Sequence, residues 1–306
     1  MSTADADFIR SVWPQAVSLM DYCLARRDEN GFAANKDNGW IFIDWAEMDK
    51  DTCLCGEQML MMRALEAMSA LAEIAGADGT AYARLFGDLR QKVDAFFWDE
   101  EKGAYIDSFH SGRRHVTRHA NIFALLFGYA QGEKRNAILR SVLFNDAVTA
   151  IRTPYFKYYE LDALCDAGMT EEVTRRMLAY WGPMVNGGAT SIWEEYSPDE
   201  PMEDQYGMYG DKFGKSLCHA WGASPIYLLG RWYLGVTPTK PGYAAFEVRP
   251  QLGGLDWLEG VVPVGKGEVR VSLRDGHCTA CATVPGGNLI WNGQQHELIP
   301  GASITI

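Results

Sequence analysis

The chain has 306 residues, of which 47% are hydrophobic and 22% are charged, and these proportions are typical of a globular protein with a large core. Its 28 basic and 40 acidic residues give a net charge of −12, which repels nucleic-acid backbones and anionic membranes and argues against both as partners. A neutral ligand is favoured, and an aromatic share of 12% is generous enough to supply platforms for sugar rings.

The N-terminal residues 1–7 are acidic and contain no apolar segment, so they do not form a signal peptide. The longest apolar run, near residues 122–130, is too short to span a bilayer. Seven cysteines are an odd number, and several lie in apolar helical surroundings, which favours a reducing compartment. The sequence therefore predicts a cytoplasmic protein, unless the natural beginning of the chain is missing.

Apolar residues recur at three- and four-residue spacing up to about residue 235, which predicts a mainly helical region. The predicted helices cover residues 5–28, 52–76, 78–97, 118–130, 132–143, 155–167, 170–182 and 212–234. The links between them are often long and contain short extended pieces, as in 31–43 and 98–107. Long ordered loops of this kind usually carry function.

After Pro238 the pattern changes to short alternating segments separated by glycine-rich turns. Residues 268–273 alternate between polar and apolar, which predicts antiparallel strands with one buried face. The sequence thus predicts a helical domain over 1–238 and a small antiparallel β-sandwich over 239–306. Cys278 and Cys281 have metal-like spacing but lie in a predicted strand without a second ligand pair, so a metal site is not expected there.

The segment from Gly187 to Tyr196 places carboxylates beside an aromatic ring in a turn that glycines introduce. A sugar offers an apolar face that stacks on an indole, and a glycosidic bond is cleaved by carboxylates acting as acid, base or nucleophile. Trp193 and Glu194 fit these two roles, and Glu195 is a spare carboxylate. The plain alternative is a solvated acidic loop with a buried tryptophan.

Several motifs occur in an order and spacing that resemble the C-terminal half of bacterial α-L-rhamnosidases of glycoside hydrolase family seventy-eight. They are Gly39–Trp45, Phe97–Trp98–Asp99 with Gly103 and Tyr105, Gly188–Glu194, Ser216–Trp221, Leu234–Pro238 and Gly260–Pro263. The resemblance implies an α/α toroid of the six-hairpin type, followed by a C-terminal β-sandwich. It also implies inverting hydrolysis of terminal α-L-rhamnosyl residues without a cofactor, with a rhamnose-containing glycoside or polysaccharide as substrate.

The resemblance also implies roles for individual residues. Glu194 matches the general base, and His219 matches a histidine that binds the sugar. Asp44 and Trp45 match a pocket pair in which the indole forms a wall against the sugar, and Trp40 is a second candidate for that wall. A core histidine remains the alternative for His219.

The chain departs from the family where the general acid is expected, because no segment reproduces the acidic, arginine-containing motif that precedes Gly-Trp. It also has fewer predicted helices than the family's ring, which implies that the first helices are missing. Three explanations are open: a shortened chain, a second copy or partner chain that completes the barrel, and a remnant adapted to another role. Asp44 and Glu47 are the candidate acids within this sequence. A non-catalytic carbohydrate-binding remnant is the alternative function, and a polysaccharide lyase that uses Tyr206 or Tyr209 near Lys212 is a weaker one.

Overall fold

The structure is a computed structural model that describes residues 3–34 and 41–306. The chain forms two compact units, one over Ala6–Arg152 and one made up mainly of Thr153–Ile306. The boundary at residue 238 marks the change from helices to strands within the second unit. As a domain boundary, it stays a prediction.

The first unit is helical with one very short hairpin. Its elements are α1 (Ala6–Ala25), α2 (Cys55–Ala75), α3 (Thr80–Phe97), β1 (Trp98–Asp99), β2 (Ala104–Tyr105), α4 (Arg118–Leu126) and α5 (Gly132–Ile138), which continues as a π-helical turn over Leu139–Leu143. These bounds confirm the helices that the apolar spacing predicts in this region. None of the helices in the described ranges is long and apolar enough to cross a membrane.

The α2–α3 hairpin shows how this sequence specifies the unit. Gly76 ends α2 in the left-handed conformation (φ 75°), and its N–H bonds back to the last carbonyls of the helix. The buried face of α2 includes Met59, Met62 and Leu65, which recur every three to four residues. The short link then returns the chain antiparallel, so that α3 packs along α2.

The second unit begins with helices and ends with strands. Its elements are α6 (Pro154–Asp166), α7 (Thr170–Asn186), α8 (Ser224–Leu228) with a π-helical turn over Leu229–Tyr233, β3 (Val236–Pro238), β4 (Phe246–Val248), β5 (Leu258–Val264), β6 (Gly267–Arg274), β7 (His277–Ala282), β8 (Gly287–Trp291), β9 (Gln294–Leu298) and β10 (Ser303–Thr305). Short 3₁₀ turns lie at Met202–Asp204, Ala220–Gly222 and Pro241–Tyr243. Thr153 caps α6 by accepting the Phe156 N–H at 3.1 Å, directly before Pro154 at the first helical turn.

The helix predicted over 212–234 is wrong in its first half, since α8 begins only at Ser224. The apolar residues that predict a helix there recur every four positions, at Phe213, Leu217 and Trp221. The backbone around them instead bonds to a distant segment near Glu194, and Pro225 favours a helix start at this point.

The strands form two four-stranded sheets, with orders β10-β7-β6-β5 and β3-β4-β8-β9. Val269, Val271 and Leu273 are buried on β6, as the alternation predicts. One detail corrects the expectation of purely antiparallel pairing, because β4 and β8 are parallel. Between β4 and β8 the chain forms β5, β6 and β7 of the other sheet. It then enters β8 in the same direction as β4, which is possible only after such a crossover, because a hairpin pairs its strands antiparallel.

Gly235, just before β3, provides a test of this packing. It has φ 73°, and a Cβ there would lie 2.0 Å from the Arg249 carbonyl oxygen. Gly235→Ala should lower the free energy of unfolding by about 2–5 kcal/mol, since the left-handed backbone costs about 1–2 and the overlap about 1–3 kcal/mol. Chemical denaturation measures the change.

Gly276→Ala is the matched control. Gly276 has φ 77°, but a Cβ there meets nothing within 4 Å, so only the backbone cost of about 1–2 kcal/mol applies. Equal losses in the two variants would contradict the packing described at Gly235.

Candidate active site

The site in the second unit is built on two loop segments that run in opposite directions and share backbone hydrogen bonds. The Glu194 N–H donates to the Ser216 carbonyl at 2.9 Å, and the His219 N–H donates to the Ile192 carbonyl at 2.8 Å. Neither segment is a regular strand. The pairing nevertheless brings the predicted base and the predicted sugar-binding histidine together.

The Glu194 carboxylate is oriented through both of its oxygens. The Tyr209 hydroxyl donates to Oε1 at 2.7 Å, and the Ser216 N–H donates to Oε2 at 3.2 Å. The Nδ1 atom of His219 lies 4.0 Å from Oε2. The Glu194 side chain is 8% exposed and that of His219 is 34% exposed, so the histidine marks the open side of the site.

Tyr209 reaches Glu194 from a tight turn. Met208 and Asp211 exchange both of their backbone hydrogen bonds at 2.9 Å, and Tyr209 between them is left-handed (φ 54°). The hydrogen bond to Glu194 raises the pKa of the Tyr209 phenol, because ionisation would remove the donor and place a phenolate beside the carboxylate.

A row of aromatic side chains leads to the carboxylate. The ring centroids of His219 and Trp221 are 4.5 Å apart, and Tyr155 on α6 stacks on Trp221 at 5.6 Å with an interplanar angle of 18°. The Trp221 indole N–H also donates to the Glu194 backbone carbonyl at 3.0 Å. The carboxylate therefore has an apolar aromatic wall beside it, an arrangement suited to sugar binding.

Gly222 shows why this loop needs its sequence. A Cβ at position 222 would lie 2.2 Å from Cγ2 of Ile192, so only glycine permits the close approach of the two segments. The Trp181 indole on α7 donates to the Gly222 carbonyl at 3.0 Å and fixes the loop to the helix. The loops thus rest on rigid helical supports.

Trp193 lies inside the unit. It is 3% exposed and packs edge to face against Tyr206 at 5.7 Å. The neighbouring Glu195 is also buried, at 7% exposure. The sugar contact predicted for Trp193 stays a prediction, whereas Trp221 is the indole next to His219.

The predicted pocket pair, Asp44 and Trp45, lies in the first unit. The Asp44 carboxylate is buried, with Oδ2 2.9 Å from His119 Nε2 and 3.3 Å from the Arg152 amide nitrogen. Trp45 is half-buried and meets Phe42 edge to face at 4.9 Å. Trp40 lies outside the described residues. The sugar contacts predicted for all three residues stay predictions.

His119 extends the polar network around Asp44. Its Nδ1 lies 3.1 Å from the Thr117 hydroxyl, and that hydroxyl donates to Asp107 at 2.7 Å. His119, Thr117 and Asp107 are all at most 2% exposed. Glu47, the other candidate acid, is exposed.

Comparison with known proteins decides the family. Residues 1–232 match the model for the bacterial α-L-rhamnosidase six-hairpin glycosidase domain. The chain belongs to this family. The match confirms the resemblance to bacterial α-L-rhamnosidases and the six-hairpin fold class that it implies. A comparison with curated proteins found no match.

Solved structures agree with this assignment. A family-78 rhamnosidase from Bacillus sp. GL1 is 28% identical with a TM-score of 0.81, and covers 94% of this chain and 31% of its own. A rhamnosidase from Klebsiella oxytoca, solved with rhamnose bound, is 28% identical with a TM-score of 0.61 and covers 72% of this chain and 42% of its own. An α-L-rhamnosidase from Streptomyces avermitilis shares the fold at 18% identity and a TM-score of 0.69. The chain therefore spans less than half the length of these relatives.

The rhamnosidase resemblance implies roles for Glu194 and His219 but none for Trp221 or Tyr209, and the sequence makes Tyr209 a candidate only as the base of a lyase. Trp221 lies within the Ser216–Trp221 motif, but its position beside His219 depends on the 3₁₀ turn at Ala220–Gly222, which the helical spacing over 212–234 does not predict. The position of Tyr209 likewise depends on a left-handed turn and on a bond to a residue 15 positions away, which are visible only in three dimensions.

The Tyr209–Glu194 hydrogen bond can be tested in solution. Glu194→Gln removes the negative charge that opposes phenolate formation, so the pKa of Tyr209 should fall towards its ordinary value. A titration of ring-labelled tyrosine by NMR, assigned with Tyr209→Phe, measures it. An unchanged pKa would show that the two side chains are not in contact.

Proposed function

We propose that this chain takes part in the hydrolysis of terminal α-L-rhamnosyl residues and that Glu194 is the general base. The observation that supports this most strongly is the geometry of Glu194, held by Tyr209 and Ser216 beside the half-buried His219, in a member of the rhamnosidase six-hairpin family. A rhamnose-containing glycoside or polysaccharide is the proposed substrate.

In the proposed reaction Glu194 takes a proton from water, and that water attacks the anomeric carbon on the face opposite the leaving group. The glycosidic C–O bond breaks, and an acid protonates the departing oxygen, so the configuration inverts. We assign the basic role to Oε2, which lies 4.0 Å from His219 Nδ1. It accepts the longer bond, 3.2 Å from the Ser216 N–H, whereas Oε1 accepts the 2.7 Å bond from the Tyr209 hydroxyl. Of the two acids predicted from the sequence, Glu47 is exposed and Asp44 is buried against His119.

Sugar recognition is assigned to the side chains on the open side. His219 would exchange hydrogen bonds with ring hydroxyls, and Trp221, backed by Tyr155, would stack on the apolar face of the sugar. The buried Trp193 would support the Glu194 loop. The sugar contacts predicted for Asp44 and Trp45 are a separate proposal for the first unit.

A sugar-binding protein without turnover is the second candidate, because the aromatic row and His219 would bind sugar whether or not an acid is present. A lyase with Tyr209 as its base fits less well. Such a base must lose its phenol proton, and the hydrogen bond to Glu194 raises the pKa of Tyr209, which makes that loss harder.

Glu194→Gln tests the role of the base. The amide keeps the shape of the side chain but cannot accept the proton, so hydrolysis of a chromogenic aryl α-L-rhamnoside should fall by about two to four orders of magnitude. The midpoint of thermal unfolding should change little.

Glu200→Gln is the matched control, since it makes the same chemical change at an exposed position in the same loop and should retain activity. Full activity in Glu194→Gln would eliminate Glu194 as the base. Rhamnose binding by calorimetry in a wild-type chain that does not hydrolyse the substrate would select the sugar-binding candidate.

Association with a second chain is a further part of the proposal. Four apolar side chains on one side of α1 are exposed, namely Phe8, Val12, Leu19 and Tyr22. Light scattering should therefore give a mass above 34.1 kDa, and Phe8→Glu combined with Leu19→Glu should lower it to that value. A wild-type chain that measures as a monomer would contradict the association.

A further inference from the structure

Three side chains in the first unit bring together the ligand atoms that zinc prefers. They are Asp28 in the turn after α1, Cys53 in the loop before α2 and His110 in the loop after β2. One ligand atom from each lies within 4.8 Å of the other two. None of these residues has a part in the proposed rhamnosidase chemistry.

The spacing suits tetrahedral coordination. With Zn–S near ~2.3 Å and Zn–O near ~2.1 Å, a tetrahedral angle places the sulfur and oxygen about 3.6 Å apart. Cys53 Sγ and Asp28 Oδ2 are 3.6 Å apart in the structure. A nitrogen of the exposed His110 imidazole lies within 4.8 Å of the other two ligand atoms, so a shift of this side chain would close the third position, and water would complete the coordination.

The backbone around the three residues is already ordered. Oδ1 of Asp28 accepts the Phe32 N–H at 2.8 Å, which directs the other carboxylate oxygen towards Cys53. The Ser108 hydroxyl donates to the Asp51 carbonyl at 2.6 Å and accepts the His110 N–H at 3.2 Å. The segments that carry Cys53 and His110 are therefore joined to each other without a metal.

Charge near the thiol also favours a cation. Cys53 is fully buried, and the Asp28 carboxylate lies beside its thiol. Glu57 and Glu29 add further negative charge near it. The same negative charges create a potential that attracts a divalent cation, and a bound cation would displace the thiol proton.

We propose that Asp28, Cys53 and His110 form a zinc site. The site ties together three separate segments of the first unit. Asp28 and Cys53 are 25 positions apart, and Asp44 and Trp45 lie between them in the sequence, so the metal would join the two ends of this stretch. Closing a loop in this way stabilises the folded unit, as any ligand of the native state does.

The test uses the full, tag-free chain after treatment with a chelator. Calorimetry should show one Zn²⁺ bound per chain, and Co²⁺ should give the thiolate-to-metal charge-transfer band of a sulfur-ligated tetrahedral site. Cys53→Ser should abolish that band. His110→Gln changes an exposed position where folding is not at risk. It should weaken zinc affinity by at least about 10–100-fold, which is the loss seen when a residue that only hydrogen-bonds to a metal ligand is removed.

Two controls keep the outcome specific. Cys218→Ser and His277→Gln remove an exposed thiol and an exposed imidazole elsewhere, and both should bind Zn²⁺ as the wild type does. Absence of stoichiometric zinc binding in the wild type would overturn the proposal. So would wild-type affinity in His110→Gln, or a cobalt–thiolate band that survives Cys53→Ser.

Discussion

The candidate site depends on two backbone hydrogen bonds, one from Glu194 to Ser216 and one from His219 to Ile192. Without them, a carboxylate and a histidine 25 residues apart (219 − 194) would have no fixed relation. The close approach requires Gly222, where a Cβ would collide with Ile192. It also places the Ser216 N–H beside Oε2 of the carboxylate, so one pairing sets the position of the side chains and the hydrogen bonding of the base.

The helices contribute rigidity to these loops. Trp181 on α7 holds the Gly222 carbonyl, and the Tyr180 hydroxyl next to it accepts the Tyr196 N–H at 3.2 Å. On α6, Tyr155 supports the face of Trp221. Functional groups on loops with helical supports are the usual way in which a stable scaffold carries variable chemistry. The strands of the second unit carry none of the residues assigned to the site.

Much of the scaffold could be predicted because it follows local periodicity. Short stretches of sequence determine the apolar face of α2 and its end at Gly76. The alternation of β6 is local in the same way. The segment 212–223 could not be predicted in this way, since its apolar spacing is helical but its backbone partners lie near Glu194. The parallel β4–β8 pair likewise depends on a crossover that no local pattern shows.

The site residues likewise include some that the sequence predicts and others that only tertiary contacts place. Glu194 and His219 were found by the order of motifs, whereas the Tyr209 hydrogen bond and the burial of Trp193 are products of tertiary packing. Asp44 and His119 are 75 positions apart, and nothing in the sequence indicates that the carboxylate predicted to meet a sugar is paired with a buried imidazole. Side-chain pairs that form between distant loops are therefore not predictable from local sequence patterns.

The central claim is that the Glu194 loop pair is a rhamnose site. The most direct measurement is a titration of the ¹⁵N-labelled chain with L-rhamnose, followed by NMR at the Trp221 indole N–H, which bonds to the Glu194 carbonyl. The Trp232 indole N–H, which bonds to Asp162 on α6, serves as the internal reference. The account predicts saturable shifts at Trp221 and at the Ser216 amide with Trp232 unchanged. Shifts confined to other parts of the chain, or none at saturating rhamnose, would contradict it.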